Sequence, residues 1–365
     1  MPFLISLKTN LFCYNGLLMT MDKICNLKDI QDGQQVKGIF LVKEMAAAET
    51  KAGKPYLMLT LMDATGEIAA RVWENAEKFM PDCPAGAVIA VSGLAQAYKG
   101  INQLRLDSLS RVNEAEVDFS LLVPSTSGDL KLMIKELLKL AGSVENPFLR
   151  ELLLAFFSSK EFLTAFKKAP AAKSMHHAYL GGLLEHSLGV ARLATETAKL
   201  YPSLDQDLLI AGALLHDLGK VKEFEFSSFP FDYSDQGRLV GHMVLGIEMI
   251  QEKIARIKGF PEELATRIKH LILSHHGRYE FGSPSLPMVR EAFALNFLDD
   301  LDAKMNYLDK LAERVGGEGY QWTDYQRNLE RFLFVRGHSA SDQAQSASAE
   351  EETAIDPRQR NLFGV

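Results

Sequence analysis

Residues 208–215 read Leu-Leu-Ile-Ala-Gly-Ala-Leu-Leu and run directly into His216-Asp217-Leu218-Gly219-Lys220. A stretch that is apolar all round yet too short to cross a bilayer belongs inside a helical body. Such a helix delivers a histidine and an aspartate side by side at its end, where Gly219 is expected to break it. Taken alone, a His-Asp pair is an ordinary polar dipeptide. The neighbours change its weight. His186 lies upstream on a second helical stretch, and His242, His275, His276 and Asp299 follow downstream. Of the 9 histidines, all but His338 fall between His176 and His276, a clustering that scattered helix polars do not explain.

Imidazoles and carboxylates together suit Mn²⁺, Fe, Zn²⁺ or Mg²⁺. An imidazole offers a cation one lone pair, whereas a carboxylate has two oxygens, so Asp217 beside His216 can bind one ion and reach a second. A divalent cation at a phosphate ester polarises the phosphoryl oxygen and lowers the pKa of water, which points to phosphoester hydrolysis. Asp217, Lys220 and His242 are the expected catalytic residues. Lys220 lies four positions after His216, one turn along if the helix persists, and could pair with a phosphate oxygen. An exposed lysine at a helix end is the competing reading.

Upstream, residues 30–113 change period. Val36–Lys43, Tyr56–Asp63, Glu67–Trp73, Ala87–Gly93 and Gln103–Leu106 read as short strands, with a Thr65-Gly66 turn, a helical segment near Asn75–Met80 and a turn at Lys99-Gly100. Five strands with one helix after the third is the layout of an OB-fold barrel, which commonly binds single-stranded nucleic acid or oligosaccharide. Phe40, Lys43, Lys54, Tyr56, Arg71, Trp73, Tyr98, Lys99 and Arg105 mix aromatic and basic side chains suited to stacking bases and pairing phosphates. The opposing reading makes Phe40 and Trp73 core and the lysines solvated edges.

The expected organisation is multidomain, an N-terminal all-β OB-fold barrel followed by an all-α bundle. Residues 1–20 read as an extension outside the native protein, whose start is expected at Met21, and Lys8-Thr9-Asn10 interrupts any signal-like apolar run. The barrel spans 21–113, a linker 114–128 and the bundle 129–337. Within the bundle, helices are expected over Asp129–Leu140, Pro147–Phe157, Glu161–Lys168 and 183–200, with a final helix over 320–336. The Ser/Ala/Gln/Glu-rich tail 338–365 reads as disordered.

Charge narrows the partners. The net charge is −7, and residues 21–113 carry as many basic as acidic side chains, so no domain offers a duplex-coating field. Single strands fit better. With 3 cysteines lacking paired or zinc-type spacing and no apolar run of the ~20 residues a bilayer needs, a cytoplasmic protein without membrane attachment is expected.

Residues 176–304 resemble the HD phosphohydrolase superfamily. The likeness is carried by His176-His177-Ala178-Tyr179-Leu180-Gly181-Gly182-Leu183-Leu184-Glu185-His186, the His216-Asp217 pair, Gly241-His242, Leu273-Ser274-His275-His276-Gly277, Gly282-Ser283-Pro284 and Leu301-Asp302-Ala303-Lys304-Met305. With the barrel, residues 22–335 resemble the YhaM-type 3′–5′ exoribonucleases of bacteria. The resemblance implies an HD-type bundle holding one or two divalent ions. His186, His216, Asp217 and Asp299 would surround one ion, and Asp217, His242, His275 and His276 would serve a second ion or the substrate phosphate. Choosing Asp299 over Asp300 or Asp302 rests on the superfamily pattern alone. His176 and His177 would cap or orient, and Arg278, Tyr279, Ser283 and Lys304 would touch substrate. The resemblance also implies 3′-to-5′ degradation of single-stranded RNA, with single-stranded DNA as a further substrate, to nucleoside 5′-monophosphates. Mn²⁺ is the expected ion, ahead of Mg²⁺, Fe or Co²⁺, because magnesium prefers oxygen ligands. A homo-oligomer is expected as a partner state. Gln359-Arg360-Asn361-Leu362-Phe363 resembles the short peptide that docks on the bacterial sliding clamp.

An HD-type phosphodiesterase acting on a nucleotide or cyclic nucleotide, with a regulatory barrel, is the alternative. A non-catalytic nucleic-acid-binding protein is disfavoured because its ligand set would be expected to have decayed.

Overall fold

The computed structural model describes residues 26–337 apart from 51, 99–100, 114–116, 118–120, 174, 227–230 and 316–318, together with the backbone of 11–14 and 17–20. Lys99 and the Gln359–Phe363 peptide lie outside the described residues. The chain divides into two compact units, Met1–Asn296 and Phe297–Val365.

In the stretch expected outside the fold, β1 (Leu11–Tyr14) and β2 (Leu17–Thr20) pair as an antiparallel hairpin. The barrel follows with β3 (Gln35–Glu49), β4 (Pro55–Asp63), β5 (Gly66–Val72), a short α1 (Ala76–Phe79), β6 (Val88–Tyr98) and β7 (Ile101–Arg111). Its strands close in the order β3-β4-β5-β7-β6, with β5 and β7 parallel, which is the OB-fold. Asp63 sets the β4–β5 turn. Its buried carboxylate accepts the Thr65 and Gly66 amides and the Thr65 hydroxyl, and also the distant Leu27 amide at 2.8 Å. Alternate residues of each strand, among them Val36, Leu57, Leu59, Ala70 and Leu104, fill the interior.

The segment expected as a linker is tied down at both ends. Leu122 and Val123 pack on the barrel against Leu41, Met62 and Val88. Beyond them the chain bonds to the bundle through Thr126 N to Leu180 O and Leu180 N to Pro124 O, at 2.8 and 2.9 Å.

The bundle's first helices, α2 (Leu130–Ser143), α3 (Pro147–Phe157) and α4 (Lys160–Phe166), begin where the sequence offers capping oxygens. Asp129, Asn146 and Ser159 each accept a first-turn amide, and Pro147 occupies the first turn of α3, where no donor is needed. Next come α5 (Gly182–Leu200), α6 (Gln206–Leu215) and α7 (Lys220–Glu223), then the strands β8 (Phe224–Glu225) and β9 (Asp232–Tyr233). The unit is completed by α8 (Asp235–Leu239), α9 (His242–Ile254), α10 (Glu262–Ser274) and the first residues of α11 (Arg290–Val315). No helix among the described residues is long and apolar enough to cross a membrane.

The second unit holds the rest of α11 and a hairpin of β10 (Tyr320–Trp322) and β11 (Phe334–Arg336), where a final helix was expected. The reason is local. Tyr320, Trp322, Phe334 and Arg336 alternate with Gln321 and Val335, a two-residue period rich in aromatic strand formers. Tyr320 stacks on Phe334 with centroids 5.3 Å apart, and both rings are exposed.

Candidate metal centre and nucleic-acid face

Every residue of α6 from Leu208 to Leu215 is buried, as its apolar run requires, and the helix is capped at its start by Asp205. His216 continues the ladder for one step, bonding its amide to Gly212 O at 2.8 Å. Gly219 does not break the helix through a left-handed turn. It keeps helical angles, φ −65° and ψ −18°, and starts α7. Its service is the missing side chain, because a Cβ there would lie 2.0 Å from the His242 carbonyl oxygen. That contact lets the start of α9 press against the His216-Asp217 segment.

The result is a buried carboxylate between two groups of histidines. Asp217 Oδ2 lies 3.6 Å from His186 Nε2 and 3.3 Å from His216 Nε2. Its other oxygen, Oδ1, lies 3.5 Å from His242 Nε2 and 3.6 Å from His275 Nε2. The same two groups, His186–His216–Asp217 and His242–His275–His276, each bring their ligand atoms within 4.8 Å of one another. Ligand atoms about 2.1 Å from one ion are roughly 3.0 to 3.4 Å apart, so the spacing suits a cation.

Tautomers follow from hydrogen bonds. His216 Nδ1 faces Ala213 O at 2.9 Å, His275 Nδ1 faces Ile272 O at 2.7 Å and His276 Nδ1 faces Phe281 O at 2.9 Å. A carbonyl only accepts, so each Nδ1 carries the proton and, in the neutral ring, leaves the Nε2 lone pair for a metal. Burial pushes the Asp217 carboxyl up, but the Lys220 ammonium and the facing His216 and His242 outweigh it and hold the group well below the ordinary carboxylate range. Asp217 Oδ1 and His242 Nε2 are buried without a hydrogen-bond partner. Buried polar atoms are rarely left so, and a convergent set of lone pairs with one ionised carboxylate is what a divalent cation satisfies. The residues present fit the metal.

Lys220, expected to meet phosphate, donates to Asp217 Oδ2 at 2.6 Å and is buried. Its buried neighbour Glu223 holds His242 and was missed by the sequence reading. Its only signal was an acid two helical turns after His216, which competes with every exposed glutamate. His177 is buried with its Nδ1 2.9 Å from the Tyr179 hydroxyl. Asp299 is half-buried on α11 in the second unit.

Ser283 is buried with its hydroxyl 2.9 Å from both Leu273 O and Ser285 O, contacts that pin the loop. Lys304 pairs with Asp300 at 2.6 Å one turn away. Arg278, over the Phe281 ring at 5.8 Å, and Tyr279 stay exposed on the loop after His276.

On the barrel, Phe40 is fully buried and offers no ring to a base, a correction whose cause is the inward phase of β3. Trp73 is 47% exposed and stacks on Tyr56 with centroids 4.6 Å apart and planes 21° from parallel. Tyr98 is exposed at the end of β6, and Lys54 lies at the β4 end beside Tyr56. Lys43 pairs with Glu67 at 2.6 Å, Arg105 lies 3.5 Å from Asp107, and the Arg71 guanidinium donates to Ala70 O. Lys43 and Arg105 thus face acids, whereas the Tyr56–Trp73 stack and Tyr98 offer ring surface.

Residues 183–304 match the HD domain family. The 3′-5′ exoribonuclease YhaM of Halalkalibacterium halodurans is 36% identical over 291 residues, covering 78% of this chain and 88% of the relative. The 3′-5′ exoribonuclease YhaM of Bacillus subtilis is also 36% identical, over 78% of this chain and 89% of the relative. Among solved structures, the second OB-fold domain of replication protein A from Methanococcus maripaludis matches at 17% identity and a TM-score of 0.21, covering 26% of this chain and 97% of that one.

Proposed function

Because the chain belongs to the YhaM family of 3′–5′ exoribonucleases, we propose that it is a divalent-metal-dependent hydrolase that shortens single-stranded RNA from the 3′ end to nucleoside 5′-monophosphates. The observation that carries this reading is Asp217, whose two oxygens each face a separate pair of histidine Nε2 atoms. His186, His216 and Asp217 would hold one ion, and His242, His275 and His276 with Asp217 a second. When bound, a divalent cation supplies Lewis acidity, which polarises the phosphoryl oxygen and lowers the pKa of water. The nitrogen-rich donors favour Mn²⁺, or Fe or Co²⁺, over Mg²⁺.

The chain's own residues supply the rest. Lys220 keeps Asp217 ionised and oriented, and the carbonyl-bound imidazoles keep their Nε2 lone pairs facing inward. The Tyr56–Trp73 stack on the barrel gives successive bases a surface that does not depend on their identity. The buried free thiol of Cys83 supports the cytoplasmic placement.

The test is a time course on 5′-labelled and 3′-labelled single-stranded RNA with Mn²⁺, beside the His216→Ala/Asp217→Ala variant. Stepwise shortening of the 5′-labelled strand, immediate release of the 3′ label as a mononucleotide and a dead variant are expected. Intact RNA with hydrolysis of a cyclic nucleotide would instead mark a small-molecule phosphodiesterase. A parallel single-stranded DNA substrate asks whether the 2′-hydroxyl matters.

A second prediction separates the barrel's face from its core. Trp73→Ala weakens single-stranded RNA binding by about 1–3 kcal/mol, the worth of one stacked base, and leaves the melting temperature nearly unchanged. Phe40→Ala destabilises the barrel by about 3–5 kcal/mol. Equal RNA affinity of Trp73→Ala and wild type in fluorescence anisotropy would remove the stack from the binding face.

A further inference from the structure

Glu223 is buried at the end of α7, and its Oε1 lies 3.0 Å from both the main-chain nitrogen and Nδ1 of His242. The two contacts do different work. The main-chain N–H belongs to the first residue of α9, one of the first-turn amides that no helix carbonyl reaches, and the N-cap, Gly241, offers no side chain there. Glu223 therefore takes the place of a cap and puts its charge at the positive end of the helix. At the ring, a carboxylate accepts, so the proton sits on Nδ1 and the Nε2 lone pair faces Asp217 Oδ1, 3.5 Å away.

His242 differs in this from its neighbours. The Nδ1 atoms of His216, His275 and His276 are held by main-chain carbonyls at most five residues away in sequence, so local backbone geometry orients them. His242 is oriented by a charged side chain 19 residues away, on another helix. One carboxylate oxygen thus fixes the backbone entry of α9 and the tautomer of its first side chain together. A carboxylate partner also strengthens an imidazole as a ligand beyond what a carbonyl does.

We propose that Glu223 is a positioning residue that locks His242 in the Nδ1–H tautomer and thereby sets the cation affinity of the His242–His275–His276 group. The proposal rests on the metal-centre reading above.

Two measurements on the full chain test it, using wild type, E223Q and E223A. In metal-free protein with ¹⁵N-labelled histidine, long-range ¹⁵N–¹H spectra report the tautomer of His242. The Nδ1–H form is expected in wild type and in E223Q, whose amide oxygen still accepts, and a mixture in E223A. Calorimetric titration with Mn²⁺ then gives affinity, expected to fall about 10- to 100-fold in E223A and only a few-fold in E223Q. Wild-type affinity with an unchanged tautomer in E223A overturns the proposal. If E223A does not fold, E223Q decides, because the Nε2–H tautomer combined with wild-type Mn²⁺ affinity in E223Q also overturns it. Should the wild type itself bind no Mn²⁺, the metal-centre reading fails. The tautomer result still judges whether Glu223 orients His242.

Discussion

Asp217→Asn is expected to lower RNA hydrolysis by at least ~10³-fold, the worth of several kcal/mol of cation-based stabilisation of the transition state. The carboxylate presents one oxygen to His186 and His216 and the other to His242 and His275. An amide keeps one oxygen. With its NH₂ in the place of Oδ1, it donates into the lone pairs of His242 and His275; with its NH₂ in the place of Oδ2, two donors, NH₂ and the Lys220 ammonium, face each other. One of the two histidine groups then faces an NH₂ donor in place of a carboxylate oxygen either way. A structural cost comes with it, because the buried ammonium of Lys220 loses the charge it lies 2.6 Å from. Metal content by mass spectrometry, the RNA time course and thermal melting separate the two effects. In D217N/K220M the unpaired ammonium is gone, so stability should recover while activity does not. Wild-type activity in D217N would remove the Asp217 carboxylate from the mechanism.

Gly219→Ala should be nearly as damaging, although it touches no ligand atom. Gly219 has helical angles, so local propensity alone predicts that alanine there stabilises by about 1 kcal/mol. Packing says the opposite. The new Cβ would meet the His242 carbonyl oxygen at 2.0 Å and the Gly246 nitrogen at 2.7 Å, both main-chain atoms of α9 that no rotamer change can move. The expected loss is about 1–3 kcal/mol or more of stability, with Mn²⁺ affinity falling because His242 is carried away from Asp217. Urea unfolding and calorimetry measure the two. Gly212→Ala is the control, since its Cβ meets a side-chain methyl of Leu271 at 2.4 Å, which can yield. Equal stability losses at the two positions would refute the distinction between a rigid and a yielding neighbour.

Much of this protein was legible before its structure. The barrel was readable because half-buried strands alternate, and Asp63 with Thr65-Gly66 marks a turn by its own hydrogen bonds. The helix starts were readable because Asp129, Asn146, Ser159 and Asp205 cap through their own side chains. The histidine cluster was readable because histidine is rare enough for its clustering to stand out. The misreadings share a cause. The 320–336 stretch contains both apolar and charged residues at spacings a helix tolerates, and only strand pairing reveals the two-residue period. Phe40 and Trp73 look alike in sequence, yet one faces the barrel interior and the other stacks outside on Tyr56.

The sequence by itself determined the barrel strands, most of the helices and the cluster of imidazoles and carboxylates, because capping, periodicity and residue chemistry are properties of neighbours along the chain. Only the tertiary structure decided which oxygen of Asp217 faces which histidines, why Gly219 must lack a side chain and that Glu223 holds His242. Those are contacts among α5, the α6–α7 turn, α7, α9 and the end of α10, and their geometry comes from how closely the backbones pack rather than from any pattern within one segment.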